Sequence, residues 1–247
     1  MQIRGNTILI TGGATGIGFA MAEKFVNLGN TVIICGRRQE MLDDAKKKLP
    51  QIHTIKCDIS NDEDRTKMFE WITAKFSAFN MLINNAGIQR KIDLKAGIAG
   101  LGNGADEIDI NLKSQILLSE LFMPLLLKRE SAAIVNVSSG LGIVPISIFP
   151  LYCATKAALH SFTMSLRHQL RDTRLKVFEV IPPSVHDTLL KGKQIPKSEF
   201  SISSAEMADA VVKGMEKDVY EITAGASTKW LANSKEFVRK IFDSINH

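Results

Sequence analysis

Short apolar runs recur along the chain, each followed by a longer segment in which apolar residues return every three or four positions. The runs Thr7–Thr11, Thr31–Cys35, Ile52–Cys57, Met81–Asn84, Ala132–Val137, Leu175–Ile181 and Tyr220–Thr223 have strand length, are rich in Val, Ile or Leu, and hold few interior polar positions. Such runs suit strands covered on both faces. The segments between and after them, near 16–28, 38–49, 61–78, 105–128, 152–171, 205–217 and 227–245, carry the helical period. The alternation predicts an α/β fold with a doubly wound, seven-stranded parallel sheet flanked by helices. No linker, low-complexity segment or repeat divides the chain, so residues 1–247 are expected to form one domain. Two irregular stretches, 90–104 and 182–204, leave strand ends, where an open α/β sheet binds its ligands.

Composition narrows the class. At 247 residues, with 45% hydrophobic and 23% charged residues, the chain can bury a core without staples. Cys35, Cys57 and Cys153 lie far apart with no CxxC pair, which argues against a disulfide framework or a metal site and fits a reducing, cytoplasmic setting. The opening MQIRGNTILITGG is too short in apolar residues for a signal peptide. No apolar run approaches the roughly 18 residues of a membrane span, so no membrane insertion is expected. The charge of +5 is spread along the chain and gives little support to nucleic-acid binding. The basic tail at Lys229, Lys235, Arg239 and Lys240 is interrupted by Glu236 and Asp243, and Trp230, Phe237 and Ile241 recur at helical spacing, as in an amphipathic helix.

The first strand runs directly into Thr11-Gly12-Gly13-Ala14-Thr15-Gly16-Ile17-Gly18 and then into helix. A glycine turn from strand to helix lets backbone N–H groups and the helix N-terminus meet a pyrophosphate. The spacing is Gly-x3-Gly-x-Gly, not the strict GxGxxG, yet its place in the first β-α unit favours a dinucleotide and a Rossmann fold. At the end of the second strand such folds usually place an acid for the ribose 2′-OH. Here Cys35-Gly36-Arg37-Arg38 offers two guanidinium groups instead, which suit a 2′-phosphate and favour NADP over NAD. The plainer alternative is that Arg37 and Arg38 merely begin a solvated helix. Asp58, after the third strand, fits either an adenine contact or a helix cap. Asn84-Asn85-Ala86-Gly87 ends the fourth strand, where amides can tie strand to loop and small residues leave room for a ribose.

After the fifth strand come Ser138-Ser139, then Tyr152-Cys153-Ala154-Thr155-Lys156. On a helix Tyr152 and Lys156 share a face. A phenol of ordinary pKa ~10 needs roughly 4 kcal/mol of anion stabilisation to titrate near 7, and a neighbouring Lys156 ammonium and an oxidised nicotinamide ring both act in that direction. Ser139 can donate a hydrogen bond to a carbonyl or alkoxide oxygen.

With these elements in this order, TGxxxGIG, NNAG, Ser and YxxxK, the chain resembles the short-chain dehydrogenase/reductase family of compact type from Thr7 to about Thr188. The stretches VIICGR, NNAGIQ, LYCATKAALHSFTMSLRHQLRDT and IPPSVHDT are similar to the DltE-like bacterial branch. The resemblance implies hydride transfer between a nicotinamide and a small carbonyl or secondary-alcohol substrate. It puts Gly12, Thr15, Gly16, Ile17 and Gly18 at the pyrophosphate, Arg37 and Arg38 at the 2′-phosphate, Asp58 at the adenine, and Asn85, Ala86 and Gly87 at the neighbouring sugar. Tyr152 becomes the general acid or base, Lys156 its partner and ribose ligand, Ser139 the substrate-orienting hydroxyl, and Ser138 structural. Asn111 resembles a fourth member that keeps its helix kinked around a water joining Lys156 to solvent. Pro182 and Thr188 fall near the carboxamide, but Pro183 stands where the family usually has glycine, so contacts there must differ. His186 and Asp187 form no triad. A homodimer or homotetramer through the Tyr152 helix and the helix before it is also implied. The second reading is a nucleotide-binding sensor without turnover.

Overall fold

A computed structural model of the chain describes residues 1–97, 100, 105–190, 193–194 and 197–234. Seven strands form one parallel sheet: β1 (Thr7–Thr11), β2 (Thr31–Gly36), β3 (His53–Lys56), β4 (Phe79–Asn84), β5 (Ala132–Val137), β6 (Leu175–Ile181) and β7 (Glu221–Thr223). Their order is β7-β6-β5-β4-β1-β2-β3. The chain therefore starts in the middle of the sheet and reverses direction between β1 and β4, the switch point where such sheets open a crevice.

Side-chain alternation feeds two cores, one on each face. From β1, Ile8 and Ile10 point to one and Leu9 to the other; from β2, Val32 and Ile34 oppose Ile33 and Cys35. The first face is covered by α1 (Gly16–Asn27), α2 (Gln39–Lys48) and α7 (Ser204–Glu216), through residues such as Phe25, Leu42 and Met207. The second is covered by α3 (Asp62–Lys75), α5 (Ser114–Leu126) and α6 (Pro150–Gln169), through Met68, Phe122 and Leu166. Because strands are apolar on both sides, a one-residue slip would only trade one core for the other, so register rests on shape and end residues as well as on polarity. Ser203 and Glu206 close a reciprocal capping box that starts α7.

The expected elements are present with local differences. The third strand begins at His53 because the Ile52 N–H closes a turn on the Leu49 carbonyl. The Tyr152 helix starts two residues early, with Pro150 in its first turn, where a missing N–H costs nothing. The stretch expected as one helix over 105–128 is broken into α4 (Ala105–Ile108), a π turn at Asp109–Lys113, and α5. A π turn holds one extra residue and typically serves a local site. Residues 182–204 are less irregular than expected: Ser184–Val185 pairs with Ser201–Ile202, and Leu189–Leu190 with Lys193–Gln194. The amphipathic stretch expected at 227–245 is helical over 226–234; its remainder lies outside the described residues, as do 98–99 and 101–104 of the glycine-rich loop.

Candidate active site

A cleft of about 950 Å³ opens over the carboxyl ends of the strands at the switch point. Every residue expected at the site lines it except Asn111, which is fully buried behind it. Residues from ten to nearly two hundred along the sequence thus converge because all leave the same edge of one sheet.

At one end the glycine turn is locked to β4. The Thr11 hydroxyl accepts the N–H groups of Asn85 and Ala86 at 2.9 and 3.0 Å, and Asn85 Nδ2 donates to the carbonyls of Thr11 and Gly12 at 2.9 and 3.2 Å. Gly12 adopts φ +63°, and a Cβ there would sit 2.9 Å from Ala86 Cα. A Cβ on Gly18 would meet the Gly12 carbonyl oxygen at 2.5 Å. We expect Gly18→Ala to cost about 1–3 kcal/mol through overpacking, lowering the melting temperature by several degrees; calorimetry with and without cofactor checks this, and an unchanged melting point would contradict the clash. Thr15 at the N-cap makes no side-chain capping bond and the first turn of α1 holds no acid, so its N–H groups remain available to an anion. Arg37 and Arg38 line the cleft beyond, Arg37 with its guanidinium 4.0 Å from the Asp58 carboxylate. Asp58 does not cap the following helix: Asn61 does, accepting from Asp64 N at 3.0 Å. Asp58 instead takes the Ser60 N–H and hydroxyl at 3.0 and 2.6 Å. The uncapped helix start, the glycine approach and the paired guanidinium groups fit a dinucleotide phosphate chain.

At the other end Tyr152, Lys156 and Ser139 face one another. Lys156 is 3% exposed; its Nζ donates to the Val137 carbonyl at 2.7 Å and lies 5.7 Å from the centre of the Tyr152 ring. Burial brings the ammonium down to about 8, opposed by the Glu179 carboxylate. The phenol goes the opposite way from the expectation of a lowered pKa: burial pushes it up to about 12, despite a hydrogen bond with Ser139, and the charges of Cys153 and Glu107 add to the rise. Loss of water around the phenolate is the largest cause and outweighs the Ser139 hydrogen bond. Asn111, in the π turn, clamps the loop after β4, its Oδ1 accepting from Ile88 N and its Nδ2 donating to Ile88 O, both at 2.8 Å. Nδ2 also reaches Thr155 Oγ1 at 3.3 Å. In the π turn the Asp109 carbonyl accepts both the backbone N–H and the hydroxyl of Ser114.

A sequence profile described as short chain dehydrogenase matches residues 6–199. The chain belongs to the short-chain dehydrogenase family. The Bacillus subtilis (strain 168) protein named uncharacterized oxidoreductase DltE is 46% identical over 226 residues, covering 90% of this chain and 89% of its own. A crystal structure of a short chain dehydrogenase from Burkholderia cenocepacia J2315 in complex with NADP is 27% identical, covers 100% of this chain and 99% of its own, and has a TM-score of 0.80. A second, from Burkholderia phymatum in complex with NAD, is 20% identical with a TM-score of 0.79, covers 90% of each chain, and shares the fold.

Within this short-chain dehydrogenase, Ser138 also lines the cleft, and its hydroxyl is committed to the buried Glu179, donating at 2.5 Å. Thr188 lies against Gly16, but its hydroxyl is engaged by the Val185 carbonyl at 2.7 Å. The Pro182 carbonyl accepts from Gly140 N at 2.9 Å, so the second proline leaves this bond intact. Asp187 holds Ser204 through its N–H and hydroxyl, both at 2.8 Å, which leaves no triad with His186. Trp230 was not among the residues expected here. It lines the cleft and packs so tightly on Gly140 that a Cβ there would lie 2.8 Å from its ring. The helical period around it signals burial but not against what.

Proposed function

We propose that the chain is an NADP-preferring oxidoreductase that interconverts a carbonyl compound and a secondary alcohol, with Tyr152 as the proton donor or acceptor. The convergence of Tyr152, Ser139 and Lys156 at one end of a cleft whose other end carries Arg37 and Arg38 supports this reading. When bound, a nicotinamide supplies or accepts the hydride. The chain's own work is position and proton. Ser139 donates to the substrate oxygen, and Tyr152 delivers its proton to that oxygen as negative charge develops. Lys156 and the uncapped first turn of α1 hold the cofactor, and Asn85 and Asn111 keep the two sides of the cleft at fixed spacing. A phenol that stays protonated favours the reductive direction, in which Tyr152 must begin as an acid. Leu141, Ile146, Ile148, Phe149 and Trp230 wall the cleft near Tyr152, which suits a substrate with an apolar body.

The test is NADPH oxidation across a panel of apolar ketones, aldehydes and quinones. Tight NADPH binding with no turnover on any of them would favour the sensor instead. With an active substrate, kcat/KM should hold below pH 8 and fall as pH rises through about 8, where Lys156 releases its proton while the phenol keeps its own. A profile rising through that range would contradict the assignment.

We also expect a homodimer or homotetramer through α5 and α6, where Leu117, Leu121, Leu125 and Phe162 remain only half-buried in the single chain. Light scattering after gel filtration reads this directly. The three buried free thiols suit a reducing cytoplasm.

A further inference from the structure

Behind Lys156 lies an acid that the reaction outlined above does not use. Glu179 stands in the middle of β6 and is fully buried. Its Oε1 accepts from the Ser138 hydroxyl at 2.5 Å, and His160 Nδ1 lies 2.8 Å from Oε2 and 3.0 Å from Oε1. Both contacts lead back to the site. Ser138 follows Val137, whose carbonyl receives the Lys156 Nζ–H. His160 follows Lys156 by one turn of α6, so Tyr152, Lys156 and His160 form a row down one face. The row begins at the cleft and ends at a histidine whose side chain is 21% exposed.

A carboxylate removed from water persists only where donors and opposite charge compensate it. Among the described residues, Glu221 is another charged group on the sheet beside this cluster, directly opposite Glu179 in the β6–β7 ladder and 3.6 Å from Arg167 of α6. β5 contributes no charge, and Ser138 just after it contributes a hydroxyl. The Arg167–Glu221 pair lies at that edge and both members act on His160 with opposite signs, while Glu179 acts on both His160 and Lys156.

We propose that Glu179 is a positioning residue of the reaction: its carboxylate is the counter-charge that keeps the Lys156 ammonium protonated, and His160 tunes that charge from the solvent side. Burial alone drives Lys156 toward the neutral amine, and Glu179 is the group that opposes it. Burial likewise works against the His160 proton, but the hydrogen bond and charge of Glu179, helped by Glu221 and opposed by Arg167, hold it to higher pH than usual. A protonated imidazole cancels part of the carboxylate's pull on Lys156. The two substitutions that separate these effects consequently have opposite signs. Glu179→Gln removes the counter-charge and keeps the shape; His160→Gln keeps a donor for Glu179 and removes the competing cation.

The inference rests on the proposed role of Lys156 only where turnover is concerned, and its primary test needs no substrate. The Lys156 side chain of the full-length protein is titrated by NMR at Cε and Nζ, with the signal assigned by its loss in Lys156→Arg. Glu179→Gln should lower the midpoint by about one pH unit or more, His160→Gln should raise it, and Glu179→Asp, which keeps the charge, should stay nearer the unaltered protein. Midpoints that move together, or do not move, overturn the proposal. Should Glu179→Gln fail to fold, His160→Gln at the helix surface decides alone, a lowered or unmoved midpoint being the adverse result. Where a substrate has been found, the alkaline limb of kcat/KM should follow the NMR midpoint in each variant. A uniform loss at every pH with an unmoved midpoint would reduce Glu179 to packing. Shifted midpoints in a protein that turns over no carbonyl would instead refute the proposed function and leave the charge relation standing.

Discussion

Tyr152→Phe should lower turnover by roughly 10³-fold or more while changing the dissociation constant for NADPH by less than about threefold. The substitution deletes one oxygen and keeps the ring, so the packing of α6 and the position of Lys156 over that ring are preserved. What disappears is the phenol proton proposed to reach the substrate oxygen alongside Ser139. Ser139 can still polarise the oxygen through a hydrogen bond, but its hydroxyl is far too weak an acid to replace the phenol, and solvent must then supply the proton. Steady-state assays on an active carbonyl substrate, paired with fluorescence titration of NADPH, separate the two quantities. Turnover retained within tenfold would remove Tyr152 from the reaction. Loss of both turnover and NADPH binding would mean that the phenol oxygen is a structural member of the nucleotide site.

The parts of the site legible in the sequence are those carried by a single turn or a single helix. Thr11 to Gly18 reads as a strand-to-helix glycine turn because backbone approach and chain reversal are local demands, and the turn is found there with Asn85 tying it down. Tyr152 and Lys156 share a face because four residues is one helical turn, and that spacing does not depend on the rest of the molecule. The register of the sheet, by contrast, joins residues up to some seventy positions apart, and only the alternation of strand and helix hinted at it. Four features stayed hidden. The resemblance implied a kink at Asn111, but no local pattern encodes the form it takes, a π turn at Asp109–Lys113, or the partner Asn111 finds in Ile88. Trp230 returns to Gly140 from ninety residues away, and its helical spacing marks it as apolar without naming its neighbour. The direction in which the Tyr152 phenol shifts was misjudged for the same reason: an ammonium four residues on is visible in the sequence, whereas burial is a property of the whole fold. Glu179 and His160 meet only because β6 lies beneath α6, which no spacing between residues 160 and 179 discloses.

Arg37→Asp combined with Arg38→Ala should weaken NADPH binding by roughly 50-fold or more, on the basis of about 2–3 kcal/mol for charge-assisted bonds at a partly exposed site, and change NADH binding by less than about threefold. The argument starts from what β2 lacks. It ends in Gly36 with no carboxylate to accept from a ribose 2′-OH, and the next two side chains are guanidinium groups at the cleft wall. Arg37 is 54% exposed and the Asp58 carboxylate is 4.0 Å away, too far for a tight pair, so the fork can reach a phosphate. Asp58 keeps its two bonds to Ser60 in either event, so its loop should not collapse when Arg37 changes. Exposure also fixes the salt dependence: the preference for NADPH should shrink as ionic strength rises and the Debye length falls from about 10 Å toward 3 Å, while NADH binding, which places no phosphate there, should not follow. Isothermal titration of both cofactors at two salt concentrations tests each part. Equal losses for NADPH and NADH would mean that Arg37 and Arg38 only begin a solvated helix, and that selection between the two cofactors, if any, lies elsewhere in the cleft.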